Sequence, residues 1–283
     1  QFEKQCPGTE IIAEESTAWA GVTSPVSMNG LGFLFKWNMG WMNDFLEYMK
    51  LDPYFRANNH GKLTFSMQYA YSENFIQVLS HDEVVHGKCS MIEKMPGEYE
   101  EKFANLRTAY GFMYGHPGKK LLFMGQEFAQ FREWSEKRSL DWELLDYDMH
   151  QKMQAYVREL NKLYEKYDAM YVNDCEPIGF EWMSCDNADM STVSFVRRGS
   201  SAKNQLLFVC NFTPVSYEKY RTGVPCAGDY VKVLSSDDEK FGGTGANIKK
   251  TIKAEKIECE RKDYSIEFNL PPMSVTVFKF DYK

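Results

Sequence analysis

The chain has 283 residues, of which 43% are hydrophobic and 26% charged, and its formal net charge is −7. This composition indicates an ordinary globular protein of one or two domains. The acidic balance argues against nucleic acid and anionic membranes as partners. The sequence contains no apolar run of about 18 residues, so no membrane span is predicted. The 7 cysteines are odd in number and form no CxxC pair. They favour reduced thiols in a cytoplasmic protein over zinc or redox sites.

The first 170 residues alternate short apolar strands with helical stretches. Strands are expected at 11–13, 33–35, 75–79 and 120–125, and helices at 40–50, 63–72, 99–114 and 148–168. Strands that alternate with helices predict parallel βαβ units. Three or four strands are at most the second half of a (β/α)₈ barrel, which closes with eight.

After residue 170 the pattern changes to short strands with alternating polarity, separated by turn clusters. These strands are expected at 191–197, 205–212, 229–234, 264–270 and 273–280. The pattern is typical of an antiparallel β-sandwich. The fold class is therefore α/β plus all-β, with residues 1–170 as the carboxyl-terminal part of a barrel and 171–283 as a β-sandwich domain.

Two apolar runs end abruptly in acids. Residues 11–13 precede Glu14 and Glu15, and residues 75–79 precede a Ser-His-Asp-Glu sequence at 80–83. Catalytic groups of (β/α)₈ barrels lie at the carboxyl ends of strands, and sugar-bond chemistry uses paired carboxylates. Glu14 and Glu15 point to opposite faces if the strand continues, so one of them faces the site. Burial of that acid would favour its protonated form, as a proton donor requires.

Each of these features also has a simpler interpretation. An isolated Glu-Glu pair is often a solvated loop, and His81 beside Asp82 is often an ordinary hydrogen-bonded pair. His86 together with His81 and Asp82 suggests a metal site, but no further ligand at zinc spacing supports it. The aromatic content of 15% suits stacking on sugar rings, and it equally suits the filling of a core. We expect neither a metal nor a cofactor.

Several longer segments, taken in order, add a more specific signal. They are AEEST at 13–17, GLGF at 30–33, KWNMGWM at 36–42, LSHDEVVHGK at 79–88, KKLLFMGQEF at 119–128, SLDW at 139–142, GFEW at 179–182 and NFTP at 211–214. Together they resemble the carboxyl-terminal half of the 1,4-alpha-glucan (glycogen) branching enzymes of the alpha-amylase superfamily. The resemblance covers nearly the whole chain.

The resemblance implies a retaining transfer of an alpha-1,4-glucan chain to a 6-hydroxyl, which creates an alpha-1,6 branch. The resemblance implies that Glu14 corresponds to the family's catalytic acid/base glutamate. Asp82, with His81 beside it, would bind sugar hydroxyls and stabilise the transition state. Glu83 and Trp37 are further candidates for substrate binding, although large aromatic residues such as Trp37 often pack in the core.

The nucleophilic aspartate of the family lies in a Gly-Phe-Arg-x-Asp type of motif, and no such motif occurs in this sequence. The chain also starts at Gln1 rather than at a methionine. Both observations predict a fragment that is inactive alone. Its expected partner is alpha-glucan, and the uncovered edges of an incomplete barrel predict aggregation or self-association.

Two other functions remain open from the sequence. The chain could be a carbohydrate-binding or scaffold module whose function lies in residues 171–283. It could also be a hydrolase of the same superfamily, such as a trehalose-releasing relative. New alpha-1,6 bonds would distinguish branching from hydrolysis, which creates only new reducing ends.

Overall fold

The computed structural model describes residues 2–282 and begins with a parallel sheet of four strands. The strands are β1 (Ile12–Ala13), β2 (Phe35–Trp37), β3 (Phe75–Leu79) and β4 (Lys119–Leu122), hydrogen-bonded in that order. All three pairings are parallel, which confirms the prediction of βαβ units. Because the strands run in one direction, their carboxyl ends lie along one edge of the sheet.

β2 begins two residues later than the sequence predicted. Residues 31–33 do not join the sheet because their N–H groups donate to the carbonyls of Gly21, Ser24 and Val22. This stretch is therefore folded back on its own loop, and pairing with β1 starts only at Phe35, opposite Ile12.

The helices are α1 (Phe2–Gln5), α2 (Met39–Lys50), α3 (Gly61–Thr64), α4 (Tyr99–Gly115) and α5 (Asp148–Lys166). The Asn38 side chain accepts a hydrogen bond from Trp41 N at 3.0 Å and so begins α2. α4 ends at Gly115, and His116 takes an extended conformation before Pro117, where the sequence predicted the helix to stop. The helix expected at 63–72 is broken into α3 and a 3₁₀ turn at Phe65–Gln68. Ser66 in that turn bonds the ring of His116 at 2.9 Å, a long-range contact that no local pattern reveals.

Eight further strands form the second part of the chain, as an antiparallel arrangement. They are β5 (Phe180–Ser184), β6 (Thr192–Arg197), β7 (Gln205–Asn211), β8 (Tyr217–Val224), β9 (Asp229–Ser235), β10 (Thr251–Lys253), β11 (Tyr264–Leu270) and β12 (Ser274–Phe280). Six of them form a sheet in the order β10-β9-β12-β7-β6-β5, and β11 pairs with β8. A buried cluster joins Val196, Leu207 and Phe278 of the large sheet to Tyr220 and Ile266 of the small one. The predicted α/β plus all-β fold is confirmed.

The sequence did not predict β5, β8 or β10. β8 begins with a largely exposed stretch, and β10 has three residues of which Ile252 alone is buried. The exposed start of β8 hides the apolar alternation that reveals a strand, and β10 is too short for its alternation to be recognised.

α4 connects the two parts of the molecule. The buried cluster around Phe112 continues into Phe195, Phe208 and Val275 of the large antiparallel sheet. A methyl group at Gly115 would lie 2.8 Å from both the Phe195 and the Phe208 rings. The absence of a side chain at this position lets the helix approach the sheet closely.

A buried ion pair lies at the same junction. Arg197 donates to the Asp174 carboxylate at 2.5 Å, and both side chains are at most 1% exposed. Arg197 also donates to Gly115 O at 2.9 Å, and Lys119 pairs with Asp174 at 3.1 Å. These bonds attach β6 to both α4 and β4.

Within residues 2–282, none of the helices combines the length and apolar character needed to cross a membrane. All seven cysteines fall in this described range, and each is a free cysteine.

Candidate active site

The sequence-predicted site residues lie at the carboxyl edge of the parallel sheet. Glu14 directly follows β1, Trp37 is the last residue of β2, and His81 and Asp82 follow β3. The fold therefore brings to one edge the groups that the sequence placed far apart. Glu83 lies in the same 3₁₀ turn as His81 and Asp82, at His81–Val84.

The two adjacent glutamates have different surroundings. The Glu15 carboxylate lies 2.6 Å from Lys36 Nζ and also accepts Thr17 N at 2.6 Å. The bond from Lys36, followed by those from Thr17, lowers the pKa of Glu15 from 4.5 to about 2. Glu15 is therefore held as a carboxylate, which makes it unsuitable as a proton donor at neutral pH. The Glu14 side chain, in contrast, is exposed.

The exposure of Glu14 differs from the buried setting expected for a catalytic acid. Residues 2–282 leave this side chain open, while Ala13 before it is buried at 7% exposure. The described residues therefore provide the position of the acid at the strand end but not an enclosed environment around it.

His81 and Asp82 form a pair on the surface of the turn. His81 Nε2 lies 3.2 Å from Asp82 Oδ1, and the two side chains are 43% and 48% exposed. The His81 ring also packs against Phe123, with centroids 6.0 Å apart. An exposed imidazole beside a carboxylate offers hydrogen-bonding groups of the kind that bind neighbouring hydroxyls of a sugar.

Glu83 has a structural contact in this turn. It is 6% exposed, and its carboxylate accepts Ser80 N at 2.6 Å. This bond fixes the start of the turn that carries His81 and Asp82. Direct substrate binding by Glu83 remains a hypothesis.

Trp37 lies half-buried against the core and lines a groove of about 420 Å³. Trp19, which is 64% exposed, and Tyr69 line the same groove. Trp41, in contrast, is 1% exposed and stacks on Phe45 with centroids 4.8 Å apart, so it is a core residue. Trp19 was not singled out from the sequence because no apolar run or acid adjoins it.

Sequence reasoning also missed residues that hold the His81–Asp82 turn in place. Lys88 Nζ donates to Asp82 O at 2.8 Å, and Trp134 N donates to Val84 O at 3.0 Å. The only sequence signal for Lys88 was its position at the end of the LSHDEVVHGK segment, which also contains His81 and Asp82. Trp134 lies 50 residues after Val84 in the sequence, in a loop that only the fold brings close to the turn.

Comparison with known proteins shows which enzymes the chain resembles. The family model described as "Alpha amylase, C-terminal all-beta domain" matches residues 182–281. The chain is 56% identical, over 98% of its length, to the 1,4-alpha-glucan branching enzyme GlgB of Butyrivibrio fibrisolvens. The chain is therefore similar to 1,4-alpha-glucan branching enzymes over nearly its whole length. Branching enzymes of Halothermothrix orenii and Geobacillus stearothermophilus are 52% and 51% identical over 96% of the chain.

The match concerns the carboxyl-terminal part of these branching enzymes. The chain spans 43% of the length of each of the three relatives. Solved structures confirm the fold at low identity. An alpha-amylase from H. orenii has a TM-score of 0.60 at 14% identity, covering 99% of this chain and 55% of that one. A cyclomaltodextrinase has a TM-score of 0.64 at 12% identity, covering 98% of this chain and 41% of that one.

Proposed function

We propose that this chain supplies the acid/base carboxylate and a sugar-binding pair for an alpha-glucan branching reaction. The observation that carries the proposal is the contrast between the two glutamates that follow β1. Lys36 engages Glu15, whereas Glu14 is exposed at the sheet edge where His81 and Asp82 also lie. Similarity to branching enzymes over 96–98% of the chain supports the reaction class.

The reaction would follow a retaining double displacement. A carboxylate attacks the anomeric carbon while protonated Glu14 donates its proton to the departing glycosidic oxygen. The C–O bond of the alpha-1,4 linkage breaks, and a covalent glycosyl ester forms. Deprotonated Glu14 then accepts the proton of an acceptor 6-hydroxyl, whose oxygen attacks the anomeric carbon and releases the carboxylate. Asp82 and His81 would bind the sugar hydroxyls throughout.

The nucleophilic carboxylate would come from outside these 283 residues. Their sequence contains no Gly-Phe-Arg-x-Asp motif, and the relatives are more than twice as long as the part that the chain matches. We therefore expect the 283-residue chain alone not to branch glucan.

A direct assay tests this expectation. Amylose is incubated with the purified chain, and new alpha-1,6 linkages and the iodine colour are measured. The positive control is a chimera that joins the chain to the amino-terminal part of the B. fibrisolvens branching enzyme. Branching by the chain alone would contradict the proposal. New reducing ends without alpha-1,6 linkages from the chimera would instead favour the hydrolase alternative.

We also infer self-association of the chain through the β1 side of the parallel sheet. Within residues 2–282, β1 pairs only with β2. β1 itself exposes Ile12 (46%), and the long loop that follows it exposes Val26 (72%) and Met28 (73%). An open strand edge beside apolar side chains favours association with another chain.

The seven free thiols suit a reducing compartment, and they support a cytoplasmic location.

A further inference from the structure

A strained loop at residues 86–89 follows the His81–Asp82 turn. His86, Gly87 and Cys89 all have positive φ, at 58°, 78° and 68°. This left-handed region is unfavourable for residues with a side chain. Such conformations persist only where surrounding contacts hold them. Two charged side chains that follow the loop in the sequence, Glu133 and Lys94, provide those contacts.

The first is Glu133, which binds two backbone amides of the loop. Its carboxylate accepts Gly87 N at 3.0 Å and Cys89 N at 2.6 Å, with one bond on each oxygen. Neighbouring N–H groups that converge on one anion form a nest, here occupied by a carboxylate of the protein itself. The bonds from Gly87 and Cys89 lower the pKa of Glu133, so it remains ionised at neutral pH.

The second is Lys94, which binds the carbonyls of the same loop. Its ammonium donates to Lys88 O and, at 2.7 Å, to Cys89 O. The residue is only 8% exposed, and burial lowers its pKa to about 8. Lys94 therefore still carries its charge at neutral pH. Glu133 and Lys94 together form what we call the loop clamp.

The clamped loop reaches the candidate active site. Between the two clamped positions, Lys88 directs its Nζ to Asp82 O at 2.8 Å. On the other side, Trp134 packs its ring against Phe123 at 5.1 Å, and Phe123 packs against His81 at 6.0 Å. The segment that carries Glu133 therefore supports both members of the sugar-binding pair.

We propose that Glu133 is a positioning residue, which holds the 86–89 loop so that Lys88 fixes Asp82 for contact with the sugar. Its link to catalysis rests on the proposed function, whereas the clamp itself does not. Lys94 acts on the same loop through its carbonyls. Neither side chain takes part in the bond-breaking steps.

Hydrogen exchange of the 283-residue chain tests the clamp. In Glu133→Ala, the amides of Gly87 and Cys89 lose their acceptor. We expect the peptide covering 86–90 to exchange about tenfold faster, the change that a loss of roughly 1.4 kcal/mol produces. Glu133→Gln, which keeps one acceptor oxygen, should give an intermediate rate. Glu136→Ala, an exposed acid three positions further on, is the matched control and should leave the rate unchanged.

Lys94→Met is a second variant, which removes the donor to the carbonyls of Lys88 and Cys89. It should also speed exchange at the peptide covering 86–90. Unchanged exchange in the Glu133 variants and in Lys94→Met would overturn the clamp.

Kinetics of the chimera test the link to catalysis. Glu133→Ala should lower kcat by about tenfold or more with a smaller change in KM, because contacts to sugar hydroxyls strengthen in the transition state. Glu133→Gln should recover part of kcat. Faster exchange with unchanged kcat and KM would overturn the positioning role while the branching function stands. If the unmodified chimera does not branch, the proposed function fails, and the exchange experiment still decides whether the clamp exists.

Discussion

The Glu14–Glu15 pair shows how neighbouring residues of one type acquire different chemistry. The sequence predicted that only one of them faces the site, because consecutive residues of a strand point to opposite faces. The strand pattern alone could not say which one, and only the family resemblance favoured Glu14. That distinction depends on Lys36, which lies 21 positions away and reaches Glu15 only because β1 and β2 pair in parallel.

The Glu15–Lys36 bond should stabilise the fold in a pH-dependent manner. The pKa of Glu15 falls from 4.5 to about 2 in the folded protein. Its contribution is therefore fully present above pH 4.5 and is lost as the pH falls towards 2. We expect Glu15→Gln to lower the midpoint of thermal unfolding at neutral pH, with a difference from the unmodified chain that shrinks across this window. Glu14→Gln, with its exposed side chain, is the control. A difference that does not vary with pH would argue against the ion pair.

At the scale of elements, periodicity predicted well those helices and strands that carry a continuous apolar pattern. α4 and α5 were found close to their predicted bounds, and β3 and β11 at those bounds. The short β10 was not predicted, and the helix expected at 63–72 proved to be broken. In both places long-range partners determine the backbone, as the bond from Ser66 to His116 illustrates.

The close approach of α4 to the antiparallel sheet gives a test at this scale. Alanine in a helix usually stabilises relative to glycine, by about 0.5–1 kcal/mol. At Gly115 a methyl group would meet the Phe195 and Phe208 rings at 2.8 Å, and such overpacking costs about 1–3 kcal/mol. We expect Gly115→Ala to reduce the free energy of unfolding in urea titrations. Gly61→Ala in α3 is the control, since nothing lies within 4 Å of the added methyl group there. If both variants stabilise the chain, α4 does not pack as described.

For the molecule as a whole, the sequence predicted an incomplete barrel, and the structure contains four parallel strands in one open sheet. Residue patterns could indicate the number of strands, but not which apolar side chains remain exposed. Val26 and Met28 lie in a 3₁₀ turn of the long loop after β1, with no buried residue in it. Their exposure follows from the fold rather than from the sequence pattern.

Self-association should depend on this exposed surface. We expect light scattering after size-exclusion chromatography to show a molar mass above 32.9 kDa that rises with concentration. Replacing Val26 and Met28 by lysine should shift the chain towards monomer by adding charge to the apolar surface. Replacing Ile178, which is 64% exposed in another part of the chain, should have no such effect. A monomer at all concentrations would refute self-association.

The assignment of Glu14 as the proton carrier is tested most directly by counting alpha-1,6 linkages formed from amylose by the chimera. General acid–base catalysis contributes about 10²–10⁴-fold to the rate. Glu14→Gln should therefore lose most of the turnover while glucan affinity is kept, and Glu15→Gln should retain most of the turnover. Near-normal turnover in Glu14→Gln, with collapse in Glu15→Gln, would contradict the assignment and identify Glu15 as the proton carrier instead.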